Sequence, residues 1–82
     1  MSVTADDTLD ARGLMCPMPV VRTGRALTAL ESGQVLKVLV SDQAARTDFP
    51  AWIEDVGHEL VDSSEEPDGT LVFYVRKGEG LQ

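Results

Sequence analysis

One cysteine stands in this 82-residue chain, in the segment Gly13-Leu14-Met15-Cys16-Pro17-Met18-Pro19. The residues after Pro19 carry helical spacing, so the sulfur falls at or beside a helix N-terminus. That end of a helix bears partial positive charge and unpaired N–H groups. A thiol placed there loses its proton more easily, and the thiolate is the nucleophile. Pro17 steers Cys16 out of helical geometry, and proline is favoured at the first helical position. Pro19 deletes a further first-turn donor, which leaves Met18 N–H as the main local donor toward the sulfur. Pro19 also disfavours helical geometry at Met18, so the helix starts at Pro17 or at Pro19. Both registers keep Cys16 within a turn of the start. Arg12 lies close enough in sequence to add positive charge. The chemistry on offer is that of one exposed, activated sulfur, which could carry a group, form a mixed disulfide or be regulated by oxidation. Carrying uses the whole pattern. A persulfide is more acidic than a thiol, and its anion is favoured by the same helix end.

The absences narrow the chemistry further. One Cys and one His cannot build a standard structural zinc site, and no second Cys completes a C-x-x-C pair. No metal and no cofactor is expected. His58, in Gly57-His58-Glu59-Leu60, reads as a strand-entry histidine with a local hydrogen bond rather than a protease partner for Cys16. Phosphate-loop and dinucleotide glycine patterns are missing. Asp42 and Asp48 read as helix caps rather than a catalytic carboxylate pair.

The elements that must position this loop follow from patterning. Thr8 to Arg12 reads as a short first strand ending at the Gly13 turn. Pro17 to Ser32 reads as a helix with Val20, Gly24, Leu27 and Leu30 on its apolar stripe, Val21 beside them, and Gly33 as its left-handed stop. Arg22, Arg25 and Thr28 fall on the other side. Gly24 is costly inside a helix, by up to about 1 kcal/mol, and close packing on a sheet would explain it. Val35 to Val40 is a nearly continuous β-branched run, expected to be buried on both faces except at Lys37. Ala44 to Val56 is a second helical region. Its main part is expected to begin near Asp48, with Asp48 as cap, Pro50 in the first turn and Phe49, Trp52, Ile53 and Val56 facing inward. Gly57 stops it. Glu59 to Ser63 and Thr70 to Arg76 form a hairpin around Pro67-Asp68-Gly69. The order β-α-β-α-β-β, with right-handed crossovers, implies a two-layer α/β (α+β) sandwich with both helices on one face of a four-stranded sheet. Residues 8–78 form the single domain, with 1–7 and 79–82 as flexible tails.

Net charge is −7, and it is unevenly spread. Residues 1–41 balance, whereas residues 42–82 set Arg46, Arg76 and Lys77 against ten acids. An acidic chain gains little from counterion release, so direct nucleic-acid binding is not expected. The acidic half reads as a solubilising surface or as a docking face for a basic protein. No stretch is apolar enough for a membrane span and no signal peptide opens the chain, so the expected compartment is the cytoplasm.

The run Leu9-Asp10-Ala11-Arg12-Gly13-Leu14-Met15-Cys16-Pro17-Met18-Pro19 resembles the signature of the TusA/SirA-like sulfur carriers, with their Cys-Pro-x-Pro motif. The likeness continues through Leu27, Gly33, Ser41-Asp42, Asp48-Phe49-Pro50 and Gly57-His58-Glu59-Leu60. It implies a mixed sheet of strand order 1-2-4-3, similar to the C-terminal domain of translation initiation factor three. It also implies a persulfide-bearing cysteine at Cys16, supported by Gly13, Pro17, Met18 and Pro19. Sulfane sulfur would come from a cysteine desulfurase or a rhodanese and pass to an acceptor protein. Destinations implied by the family are tRNA thiolation, molybdenum-cofactor assembly and sulfur oxidation. Arg12, Arg22 and Arg25 are the candidates for partner docking on a monomer. The rival reading is a non-catalytic adaptor or thiol-redox regulatory module.

Overall fold

The computed structural model describes residues 4–15 and 17–78; Cys16 and the tail residues 1–3 and 79–82 lie outside the described residues. The elements are β1 (Asp7–Asp10), α1 (Met18–Thr28), β2 (Val35–Val40), α2 (Ala45–Asp55), β3 (Glu59–Glu65) and β4 (Leu71–Arg76). They form one mixed sheet in the order β1-β2-β4-β3. β1 runs parallel to β2, and both other pairings are antiparallel. Order and sense agree with the resemblance. Asp7, assigned by sequence to the tail, opens β1. Asp6 also joins the sheet, through Asp6 N–H to Val35 O and Val35 N–H to Asp6 Oδ2.

Alternation along the strands shows how the layers pack. Leu36, Val38 and Val40 of β2 and Leu71, Phe73 and Val75 of β4 share one core with Leu27 of α1 and with Ala45, Phe49 and Ile53 of α2. Both helices therefore cover the same face. On the other face of β2, Val35 is buried and Lys37 is the expected exception, but Leu39 stays half-buried, against expectation. A continuous apolar run cannot reveal that antiparallel neighbours leave one side without a helix. There the Lys37 ammonium lies 6.0 Å from the centroid of the Tyr74 ring, its cross-strand partner.

Both helices depart from their expected limits. α1 stops at Thr28 rather than Ser32. Residues 30–34 bend to meet the end of β4. Lys77 Nζ donates to Leu30 O at 2.6 Å, Gly33 N–H to Lys77 O and Lys77 N–H to Gln34 O. Of the expected stripe, Leu27 is buried and Val20 and Leu30 pack half-buried against the core, while Pro19 and Thr23 join it as buried residues and Val21 is exposed. Thr23 is legible as core only in three dimensions, because its hydroxyl is satisfied by Pro19 O at 2.7 Å. Gly24 faces Trp52 of α2 rather than the sheet, and an added Cβ would sit at an ordinary 3.7 Å from that ring.

α2 begins at Ala45, so Pro50 lies inside the helix and Asp48 is not its cap. Starting earlier buries Ala45 on one stripe with Phe49 and Ile53, at four-residue spacing. Phe49 stacks on Phe73 with centroids 4.7 Å apart. That burial outweighs the backbone bond Pro50 cannot make. The helix ends as expected at Gly57, φ +86°, with Gly57 N–H to Glu54 O and His58 N–H to Ile53 O. β3 runs two residues beyond its expected end and carries a bulge between Leu60 and Asp62.

His58 is buried beside Trp52, and its Nδ1 accepts the Gly78 N–H at 2.9 Å, a long-range bond rather than a local one. Burial first, and Lys77 second, push its pKa below the ordinary 6.5. As pH falls, the unfolded chain takes up that proton before the folded one does. The stability contributed by neutral His58 is therefore full above pH 6.5 and is lost as pH falls through the lower folded value. Melting temperatures measured on either side of that pH should fall more steeply in the wild type than in His58→Gln. Equal slopes would refute the assignment.

Candidate functional site

β1 and β2 are parallel neighbours, so the connections that follow them leave the sheet at the same end. Register pairs Asp10 with Leu39 and Val40 with Leu71, which brings the β3–β4 hairpin to that end too. Ala11 is fully buried and extends the parallel ladder through its N–H to Leu39 O at 2.8 Å. The chain then turns at Gly13, φ +84°, a left-handed conformation suited to glycine. Leu14 N–H returns to Ala11 O, and Gly13 N–H crosses to Ser41 Oγ at 2.8 Å. Pro17 is the exposed N-cap of α1, Met18 its first residue and Pro19 its buried second. Neither proline is therefore the first helical residue. Cys16, between Met15 and Pro17 in sequence, lies outside the described residues.

Two expectations about the charge and donors near this loop are corrected. Met18 N–H is not held for a sulfur: it donates to Met15 O at 2.8 Å, closing the turn that opens α1. Arg12 is not a free cation. Its Nε and Nη2 reach Asp10 Oδ1 and Oδ2, each at 2.9 Å, in a fork on the surface. These bonds hold the Asp10 pKa down to about 2, and Asp10 likewise raises that of Arg12. The pair is a surface feature whose chief effect is to cancel the Arg12 charge.

The remaining cations are distributed with a clear asymmetry. Arg46 pairs with Glu65 and Arg76 with Glu59. Lys77 holds Leu30 O and Lys37 faces Tyr74. Arg22 and Arg25 are the exposed cations that have no ion pair and no side-chain hydrogen bond among the described residues. They share a ridge of α1 with Met18 and Val21, since positions 18, 21, 22 and 25 lie at helical i, i+3, i+4, i+7 spacing. Met18 is 39% and Val21 41% exposed, and Met15 on the preceding loop is 72% exposed. Large apolar side chains displayed together beside unpaired arginines are what a transient protein interface uses.

Two shallow grooves flank the loop. One is lined by Gly13, Leu14, Met15, Ser41, Asp42 and Gln43. The other, between the helix starts, is lined by Pro19, Val20, Asp42, Ala45, Asp48 and Phe49. Asp42 borders both. Its carboxylate accepts the Ala44 N–H at 3.1 Å and its carbonyl the Ala45 N–H, which closes the turn before α2; the N-cap itself is Ala44, without a side-chain cap bond, and Asp48 lies within the helix, so neither aspartate is the cap expected from sequence. Ser41 enters the sequence reading only within the Ser41-Asp42 pair of the family resemblance, with no role attached, and Gln43 carries no motif. The signal that could have found them is topological: a turn after β2 must adjoin the loop after its parallel neighbour. Gln43 also ties this turn to the hairpin through Nε2 to Gly69 O at 3.0 Å. Among the described residues no helix is long and apolar enough to cross a membrane.

Known proteins share this arrangement. A family model described as sulfurtransferase TusA matches residues 7–77. The sulfur carrier protein TusA of Allochromatium vinosum is 43% identical over 72 residues, covering 88% of this chain and 93% of that protein. YrkI of Bacillus subtilis is 47% identical over 74 residues, 90% of this chain and 97% of the other. The crystal structure of a SirA-like protein from Desulfitobacterium hafniense superposes with a TM-score of 0.76 at 34% identity, covering 89% of this chain and 99% of that one.

The turn at Gly13 is open to test. An added Cβ would meet nothing within 4 Å, so only the backbone angle opposes it. Gly13→Ala should lower stability by about 1–2 kcal/mol, the strain of a left-handed residue. Urea unfolding measures this, and an unchanged midpoint would show that the turn relaxes freely.

Proposed function

Since the chain belongs to the sulfurtransferase TusA family, we propose that it carries sulfane sulfur as a persulfide on Cys16. The observation that carries the reading is the lone cysteine of a Cys-Pro-x-Pro motif, between exposed Met15 and exposed Pro17, on the loop that enters α1. In the loading step the Cys16 thiolate attacks the outer sulfur of a donor persulfide. A new S–S bond forms, the donor's S–S bond breaks, and the donor cysteine leaves as thiolate. The sulfane sulfur moves without external oxidant or reductant. Unloading repeats the exchange on an acceptor protein. With Arg12 neutralised by Asp10, the partial charge of the α1 N-terminus is the electrostatic support that remains for the sulfur anion. The donor is a cysteine desulfurase or rhodanese. The sulfur is destined for tRNA thiolation, molybdenum-cofactor assembly or sulfur oxidation, in the cytoplasm.

Incubation with a cysteine desulfurase, pyridoxal phosphate and L-cysteine should add one sulfur atom to the mass of the wild type and none to Cys16→Ser. No gain in the wild type would favour the redox or adaptor reading instead.

Docking of the donor is assigned to the α1 ridge, where Arg22 and Arg25 are available to meet an acidic patch. Arg22→Glu combined with Arg25→Glu should slow sulfur uptake from the cognate donor by roughly tenfold or more at low salt, with the deficit shrinking as salt is raised. Uptake that is unaltered at every ionic strength would move the docking face elsewhere.

A further inference from the structure

We propose that Ser41 is a positioning residue for sulfur transfer, holding the loop that carries Cys16 in its working geometry; the inference rests on the carrier function above. Ser41 follows directly on Val40, a fully buried residue of a central strand. Its hydroxyl is thereby referenced to the firmest part of the fold. From there it accepts the Gly13 N–H at 2.8 Å, across 28 residues of sequence.

The place of this bond in the loop gives it leverage. Upstream, Ala11 is fixed by burial and by its bond to Leu39 O. Downstream, Met18 N–H to Met15 O and Val21 N–H to Pro17 O fix the start of α1. Between these anchors the chain reverses at Gly13, whose lack of a side chain leaves a wide range of backbone angles open. Leu14 N–H to Ala11 O closes the turn there, and the Ser41 bond is what ties the turn to the end of β2. The support behind Ser41 is itself braced, because the Asp42 carboxylate accepts the Ala44 N–H in the turn before α2 and Gln43 reaches the hairpin at Gly69. The bond lies at the surface, where water competes for both partners, so its worth to global stability is small. Its effect falls on orientation instead, which in a transfer between two sulfurs governs rate.

Ser41→Ala and Ser41→Thr separate these roles. Ser41→Ala should keep the wild-type melting temperature to within a few degrees, speed amide hydrogen exchange at Gly13, and slow sulfur uptake from a cysteine desulfurase about three- to tenfold, the range set by one net hydrogen bond. Ser41→Thr, which keeps the hydroxyl, should restore both exchange and uptake. Unchanged uptake in Ser41→Ala would overturn the proposal, as would a Ser41→Thr protein as slow as Ser41→Ala. If the wild type takes up no sulfur, the carrier function itself falls. Gly13 exchange then still decides whether Ser41 holds the loop, and an unaltered rate in Ser41→Ala overturns that as well.

Discussion

The parallel pairing of β1 with β2 governs the rest of the molecule. Two strands that run the same way end at the same edge, and the chain must cross a sheet face to return between them. That crossing is α1. Its N-terminus is held where β1 ends, and the β2–α2 turn is brought alongside. The Ala11 ladder bond, the Gly13–Ser41 bond and the grooves bordered by Asp42 all lie at this junction. An antiparallel pair would have put the turn after β2 at the opposite end of the sheet, with no second loop to brace the first.

Charge is arranged around the same junction. The chain is strongly acidic, yet most of its few cations are engaged within the protein: Arg12 with Asp10, Arg46 with Glu65, Arg76 with Glu59, and Lys77 with Leu30 O. Exposed pairs of this kind contribute little stability, about 0–1 kcal/mol each. Their consequence is electrostatic: they withdraw positive charge from the surface and leave Arg22 and Arg25 as its local source on the α1 ridge. Glu66 and Asp68, on the β3–β4 hairpin, act on Arg12 through space and add to the effect of Asp10 on its charge.

The far end of the sheet is organised by different means. Lys77 and Gly78 bond to Leu30, Gly33, Gln34, Ser32 and His58, so the segment after β4 ties the exit of α1 to the exit of α2. Those bonds end α1 four residues short of its sequence pattern, and they give the buried His58 its hydrogen-bond partner. The molecule thus has one end where the loops after β1 and β2 brace each other and another where the segment after β4 closes the fold.

Much of this was written locally and could be read there. The β-α-β-α-β-β order, the extent of β2, the helix stop at Gly57, the hairpin turn at Gly69 and the prolines at the entry of α1 all rest on neighbouring residues: β-branched runs, glycines at positive φ, prolines at a helix entry. The strand order came from the family resemblance rather than from any local pattern. What stayed hidden depends on which groups the folded geometry brings together, near in sequence as well as far. Thr23 became core because a carbonyl one turn away satisfied its hydroxyl under the packing of α1 on the sheet. α2 began three residues before Asp48 because Ala45 could be buried. The Arg12 charge was cancelled by a fork that only folded geometry closes, and Met18 N–H was taken by Met15 O. Ser41, marked in sequence only as part of the Ser41-Asp42 pair, gained its contact with Gly13 because two parallel strands end side by side. Local chemistry determined which residue types could act here, whereas which of them meet was decided by the tertiary fold, because contact across 28 residues is a property of strand pairing and not of spacing along the chain.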